Sequence, residues 1–186
     1  MLWATSDHHF GHANILKYCA ETRQVESLDE MNAQLISRWN EKIAPDDDVF
    51  LVGDAFCSRR MPREMKVGIL QMLNGRKTLI RGNHDDKIDI FHEAGFVQVV
   101  NHLVINEKIL VIHKSPDPGF AREEWNIAAS IKPGLIVHGH THALGQNNPK
   151  CMNVCVDWHN LYPVPWSSVE ERLLAAADEI PDWASG

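Results

Sequence analysis

The chain has 186 residues, 44% of them hydrophobic and 23% charged, with a formal net charge of −7. These values exclude a disordered polymer and a small disulfide-stapled scaffold, and they argue against the basic face of a general nucleic-acid binder. No apolar run approaches the length of a bilayer span, and the amino terminus passes directly into an apolar segment without a basic leader, so one domain over residues 1–186, resident in the cytoplasm, is expected.

Residues 1–6 read as a first strand that runs into Asp7-His8-His9-Phe10-Gly11-His12. On extended backbone Asp7 and His9 project to the same side and His8 faces away. By itself Asp-x-His is weak, since a solvated polar turn has the same composition. Ser27-Leu-Asp-Glu30 is a capping box, followed by Leu28, Met31, Leu35, Trp39 and Ile43 at the spacing of a core-facing helix. Pro45-Asp-Asp-Asp48 then turns the chain into a strand, Val49–Val52, which stops at Gly53-Asp54.

Pro62 marks the first turn of a second helix carrying Met65, Ile69, Leu70, Met72 and Leu73, with Gly75 as its stop. The strand Lys77–Ile80 delivers Arg81-Gly-Asn-His-Asp85. An amide, an imidazole and a carboxylate thus arrive together at a strand's carboxyl end, where open α/β sheets bind ligands. A shorter helix is expected over 86–94, then an antiparallel pair, Phe96–Ile105 and Ile109–Ile112, joined by Asn106-Glu-Lys108 and ending at His113. Residues 121–131 form a helix, and Leu135–Val137 a buried strand ending in His138-Gly139-His140-Thr141-His142, with His140 and His142 on one side. Met152–Trp158 reads as the last strand, and Ser168-Val-Glu-Glu171 caps a final helix with Val169, Leu173, Leu174 and Ala177.

Asp7/His9, Asp54, Asn83/His84, His113 and His140/His142 therefore sit at successive strand ends, and their conjunction is far more specific than any member. Oxygen and imidazole donors suit Mn, Fe, Co, Ni or Zn better than Ca or Mg. A structural zinc site competes at the 138–142 histidines, but the remaining donors are carboxylates and an amide rather than thiolates. The cysteines Cys19, Cys57, Cys151 and Cys155 lack paired zinc-finger spacing. Cys151 and Cys155 share a face of the expected strand too far apart for a disulfide, so reduced thiols are expected. Two cations about 3.5–4 Å apart can activate a bridging water and neutralise phosphate oxygens, with Asp54 the natural bridge. His84 would hydrogen-bond a phosphoryl oxygen or protonate the leaving alkoxide. Asp85 orients His84 or, in the preferred reading, caps the adjoining helix.

In this order, Asp-x-His, Gly-Asp, Gly-Asn-His-Asp, His and Gly-His-x-His, the chain resembles the calcineurin-like metallophosphoesterase superfamily from Asp7 to His142. The resemblance implies a four-layer α/β/β/α sandwich with two facing mixed β-sheets. It implies that Asp7, His9 and His142 bind one metal, that Asn83, His113 and His140 bind a second, that Asp54 bridges them and that His84 stays off both. Two divalent ions are implied, Mn first, with Fe, Zn, Co and Ni as alternatives. The stretch from Asp7 to Ile15, with Gly53-Asp-Ala-Phe56, is similar to a small bacterial and phage group, which makes His12 a candidate phosphate contact and Asn14 a loop-shaping residue. His8, His92, His102 and His159 have no comparable claim, and His138 belongs with the strand or behind the ligands.

After Gly53-Asp54 the chain departs from the serine/threonine protein phosphatases of this superfamily, having Ala55-Phe-Cys-Ser58 and then Arg59 and Arg60. A phosphoprotein substrate is thereby disfavoured. Arg59, Arg60, Arg81 and Lys114 could each touch a substrate anion, and the size leaves no room for the capping domain of larger nucleases. The expected activity is a phosphodiesterase acting on a small or nucleotide substrate by direct attack of a bridging hydroxide. A broad phosphomonoesterase is the alternative, and a non-catalytic binding scaffold a third reading.

Overall fold

The central strands carry continuous apolar runs whose successive side chains point to opposite faces, so each has two faces to bury, and the chain answers this with two sheets. The computed structural model describes residues 1–57, 61–85, 87–116, 121–142 and 148–176. In chain order the strands are β1 (Leu2–Thr5), β2 (Asp48–Leu51), β3 (Arg76–Ile80), β4 (Gln98–Val100), β5 (His102–Ile105), β6 (Ile109–Ile112), β7 (Leu135–His138), β8 (Cys151–Asn153) and β9 (Val164–Pro165). The first sheet has the order β4-β3-β2-β1-β9 and the second β5-β6-β7-β8. Strands β1 to β4 run parallel, as do β6 to β8, while β9 and β5 join antiparallel at an edge of each sheet.

Val49, Leu51 and Leu79 face outward from the first sheet onto Met31, Leu35 and Trp39 of α2 (Leu28–Lys42), Leu70 of α3 (Arg63–Met72) and Phe91 of α4 (Ile88–Glu93). Ala4, Val52 and Ile80 face inward and meet Ile109, Val111, Leu135 and Val137 of the second sheet. Leu110, Ile112 and Ile136 pack on Ala128 of α5 (Arg122–Ile131). The layers are therefore α/β/β/α, as the resemblance implied. Helix α6 (Trp166–Ala175) sends Trp166 and Val169 into the inter-sheet core. Ser27 caps α2 by accepting from Glu30 N at 3.1 Å, while the Glu30 carboxylate reaches the amide of Glu26.

Several expectations are corrected. The run Phe96–Ile105 is not one strand: β4 belongs to the first sheet and β5 to the second, with Asn101 between them. A continuous apolar run records burial, not which sheet does the burying. The segment expected as a strand over 152–158 leaves the sheet after Asn153, whose side chain accepts from Cys155 N at 2.8 Å and turns the chain into a 3-10 turn, Val156–Trp158. Local side-chain bonding to the backbone has outcompeted the ladder there. The last helix starts at Trp166, so Ser168 lies inside it and does not cap it; Ala177 lies outside the described residues. Pro62 precedes α3 at its cap position, and α1 (Ile15–Tyr18) and β9 were not anticipated.

Candidate metal centre

The carboxyl ends of β1, β2, β3, β6 and β7 meet along one edge of the sandwich. The loop after β1 is laid on that after β2: Asp7 N donates to Gly53 O at 3.0 Å and His9 N to Asp54 O at 3.1 Å. Extended backbone does not bring Asp7 and His9 together, contrary to expectation. Asp7, His9, Asp54, His140 and His142 all have left-handed backbone, with φ of 59°, 50°, 55°, 68° and 46°. Such conformations cost about 1–3 kcal/mol each in non-glycine residues and persist where the surroundings enforce them. Five of the ten such residues among those described converge on this one edge.

Two glycines permit the approach. A Cβ on Gly82 would lie 2.1 Å from Asp54 Oδ1, and one on Gly139 would lie 2.3 Å from both Asp7 Oδ2 and Ser6 Oγ.

Ligand atoms of Asp7, His9 and His142 lie within 4.8 Å of one another, and so do those of Asp54, His113 and His140. The Asp54 carboxylate stands between the groups: its Oδ2 is 3.9 Å from His9 Nε2 and 3.3 Å from His113 Nε2. Asn83 Oδ1 adjoins the second group, 3.2 Å from His113 Nε2. Ring orientation is fixed from behind. His113 Nδ1 donates to Val52 O at 2.8 Å and His142 Nδ1 to Asp157 Oδ2 at 2.8 Å, which leaves each Nε2 for the centre. Among the described residues six buried side-chain atoms lack a hydrogen-bond partner, and three of them, Asp7 Oδ1 and the two ring nitrogens of His9, belong to proposed ligands. Buried polar atoms without partners are rare in folded proteins, and a carboxylate oxygen and imidazole nitrogens left so fit a divalent cation.

The electrostatics divide the four imidazoles into two kinds. Burial pushes His9 down to about 2 and His140 down to about 4, favouring the neutral imidazole that metal binding requires. Burial raises the Asp54 carboxyl, but the hydrogen bond and charge of His113 outweigh it and hold the group at about 2. Burial lowers His113 and His142 as well, but the carboxylates of Asp54 and Asp7 lift His113 to about 9 and the hydrogen bond to Asp157 lifts His142 to about 10, so each of these two sheds a proton on taking a cation.

His84 belongs to neither three-ligand group. Its backbone N donates to Asp54 Oδ1 at 3.0 Å, and its side chain, 42% exposed, places Nε2 3.9 Å from Asp54 Oδ2. Asp85 neither orients His84 nor caps α4. Its Oδ2 accepts from Asp54 N at 2.8 Å and Gly82 N at 2.9 Å, and its Oδ1 from Ala55 N at 3.3 Å, fastening the two loops together. Burial and the Asp54 charge push its carboxyl up to about 6.

His12 stands on the rim, its ring centre 6.0 Å from that of His9, while Asn14 precedes α1 without a side-chain cap. Arg81 and Lys114 line a cavity beside Asn83 and His113; Arg59 and Arg60 lie outside the described residues. His8 stacks on Phe10 inside the core, His138 Nδ1 donates to Gly139 O and His159 Nε2 to Asn153 O, each at 2.8 Å, and His92 and His102 are exposed.

Sequence reasoning missed Arg23 and Asp157. Arg23 is buried, donating from Nε and Nη2 to the two oxygens of Asp157 at 2.9 and 3.0 Å, from Nη2 to Asp7 O at 2.7 Å and from Nη1 to His8 O at 2.8 Å. Thr22 Oγ1 adds a bond of 2.7 Å to Asp157. A single acid in the apolar run Val154-Cys-Val-Asp-Trp158 was the available signal for Asp157; the polar segment around Arg23 held none. Cys19 and Cys155 flank His142 as thiols, each Sγ 3.7 Å from Nδ1.

Residues 1–144 match the family described as calcineurin-like phosphoesterase. The chain belongs to that family. An uncharacterized protein of Methanocaldococcus jannaschii is 33% identical over 173 residues, covering 88% of this chain and 85% of its own. The Gene 66 protein of Mycobacterium phage D29 is 28% identical over 196 residues, covering 92% and 95%. A solved structure of a protein of unknown function from Aquifex aeolicus, 24% identical, shares the fold with a TM-score of 0.74 over 92% of this chain and 98% of that one. Membership in the calcineurin-like phosphoesterases implies hydrolysis of phosphoric esters with divalent metals. Among the described residues no helix is long and apolar enough to cross a membrane.

Proposed function

We propose that this protein is a dinuclear phosphodiesterase for a small or nucleotide substrate, one ion held by Asp7, His9 and His142, the other by Asn83, His113 and His140, with Asp54 between them. The observation that carries this reading is the Asp54 carboxylate, whose Oδ2 lies within 3.9 Å of an imidazole from each group. Two divalent ions so placed would lower the pKa of water and neutralise phosphate oxygens. The mixed oxygen and imidazole donors suit Mn, the first candidate, as well as Fe, Co, Ni or Zn.

The protein's own groups do the rest. The bonds behind His113 and His142 and the left-handed loops hold the donors in position before substrate arrives, which limits reorganisation during reaction. His84, at the solvent side, donates to a phosphoryl oxygen or to the departing oxygen, and His12 on the rim adds a phosphate contact. As a water oxygen bonds to phosphorus, the phosphorus–oxygen bond opposite breaks, and the leaving oxygen keeps the electron pair and takes a proton.

A diester has two substituents, and two cavities share Asn83: one of about 280 Å³ beside His84 and one of about 220 Å³ beside His113. That pairing supports the diester over the monoester. The test strips the protein with chelator, restores Mn and compares bis(4-nitrophenyl) phosphate with 4-nitrophenyl phosphate. Faster turnover of the bis-ester is expected; preference for the monoester would overturn the diester assignment.

A further inference from the structure

The two cavities differ in character. The one beside His84 has an apolar floor of Phe56, Ile90 and Phe91, each at most 4% exposed, with Met61 at its side. Lys66 and Lys87 stand among its lining residues, and the Lys66 Nζ lies 5.4 Å from the centre of the Phe56 ring. Arg63 also lines it, but that guanidinium is held by Glu93 at 2.9 Å and by Asp89. The carboxylate in the lining, Asp85, is occupied by the backbone amides of Asp54, Ala55 and Gly82. Among the described residues the cavity therefore offers an apolar surface and two cations without an opposing free acid. In the cavity beside His113, two cations, Arg81 and Lys114, are matched among the described residues by two acids, Glu123 and Glu124.

We propose that the cavity beside His84 is the leaving-group subsite and takes a nucleoside monophosphate unit, its base on Phe56, Ile90 and Phe91 and its phosphate on Lys66 and Lys87. This rests on the diesterase reading above and adds a direction to it. Aromatic floors bind planar bases without reading their edges, and a lysine is a compact charge suited to phosphate. A simple alcohol would leave both cations unused. The phosphorus–oxygen bond facing this cavity breaks, and its electron pair stays on the departing oxygen. His84 closes that oxygen as a hydroxyl, while the oxygen from water remains on the phosphate of the other half. The nucleotide released is the one seated in the aromatic cavity.

Calorimetric titration of the metal-free protein with AMP, adenosine and orthophosphate tests the subsite without any turnover. AMP is expected to bind at least about tenfold more tightly than either fragment, each tenfold being 1.4 kcal/mol. The double variant Lys66→Ala/Lys87→Ala is expected to lose that advantage, and Met61→Glu to weaken AMP more than adenosine. Lys108→Ala, exposed on the turn before β6, serves as the control that retains it. Circular dichroism confirms that each variant is folded. AMP binding no tighter than adenosine, or undiminished in the double variant, overturns the subsite. Turnover of bis(4-nitrophenyl) phosphate by the Mn-loaded protein is read separately. Turnover without AMP discrimination removes the subsite and leaves the hydrolase, whereas AMP discrimination without turnover removes the hydrolase and leaves a nucleotide site.

Discussion

The backbone amide of His140 donates to Asp7 Oδ2 at 2.9 Å, so a loop of the second sheet holds a proposed ligand of the first. Ser6 Oγ donates to the same oxygen at 2.6 Å, and the buried Oδ1 is left facing the centre. Asp7→Asn places an amide against two donors or turns its nitrogen to the cation. Metal content measured by mass spectrometry is expected to fall from two ions to one or fewer per chain; two ions at parental affinity would remove Asp7 from the ligand set.

The glycine between His138 and His140 is predicted to be a point of steric control. Gly139→Ala drives a methyl group into Asp7 and Ser6, at a cost of about 1–3 kcal/mol by overpacking, with weaker metal binding. Gly68→Ala, in α3 with open space around its Cβ, should instead gain about 0.5–1 kcal/mol from helix propensity. Urea denaturation of the two variants reads the contrast, and equal effects would contradict it.

Arg23 and Asp157 form a buried ion pair, each with side-chain exposure of 0%. Removing one partner from such a pair costs about 3–5 kcal/mol, so Arg23→Ala is expected to unfold at markedly lower denaturant. Asp157→Asn keeps the shape but puts an amide nitrogen against donors that now meet two oxygens, loosening the hold on Arg23 and His142, and metal affinity should fall about 10–100-fold. Competition with a coloured chelator measures it; unchanged affinity would mean that His142 is oriented by other contacts.

His84 and Asp54 are predicted to separate chemistry from metal binding. His84→Ala should retain two ions and lower kcat about 10²–10⁴-fold, the usual contribution of general acid catalysis. Asp54→Ala should lose both ions together. Full turnover in the first variant, or two retained ions in the second, would contradict the assigned roles.

The strand ends were legible because Asp7, His9, Asp54, Asn83, His113, His140 and His142 offer no packing reason to follow buried apolar runs. Periodicity likewise announced α2 and the buried faces of β2 and β7. What stayed hidden depends on partners far along the chain. Arg23 meets Asp157 across 134 residues, and Asp85 reaches back 31 residues to the amide of Asp54; neither contact leaves a local pattern. The left-handed backbone at Asp7 and His9 was also hidden, since strand alternation predicts the same pairing by another geometry.

The proposed donors are mounted on different layers: Asp7, His9, Asp54 and Asn83 follow strands of the first sheet, and His113, His140 and His142 follow strands of the second. Each group of three in close range takes members from both. Between the sheets lies the hydrocarbon of Ala4, Val52, Ile80, Ile109, Val111, Leu135 and Val137. That layer lies between the two sets of proposed donors, so their separation depends on side chains that never touch the centre. A methylene added to or taken from the sandwich filling is therefore expected to shift the proposed donors relative to one another.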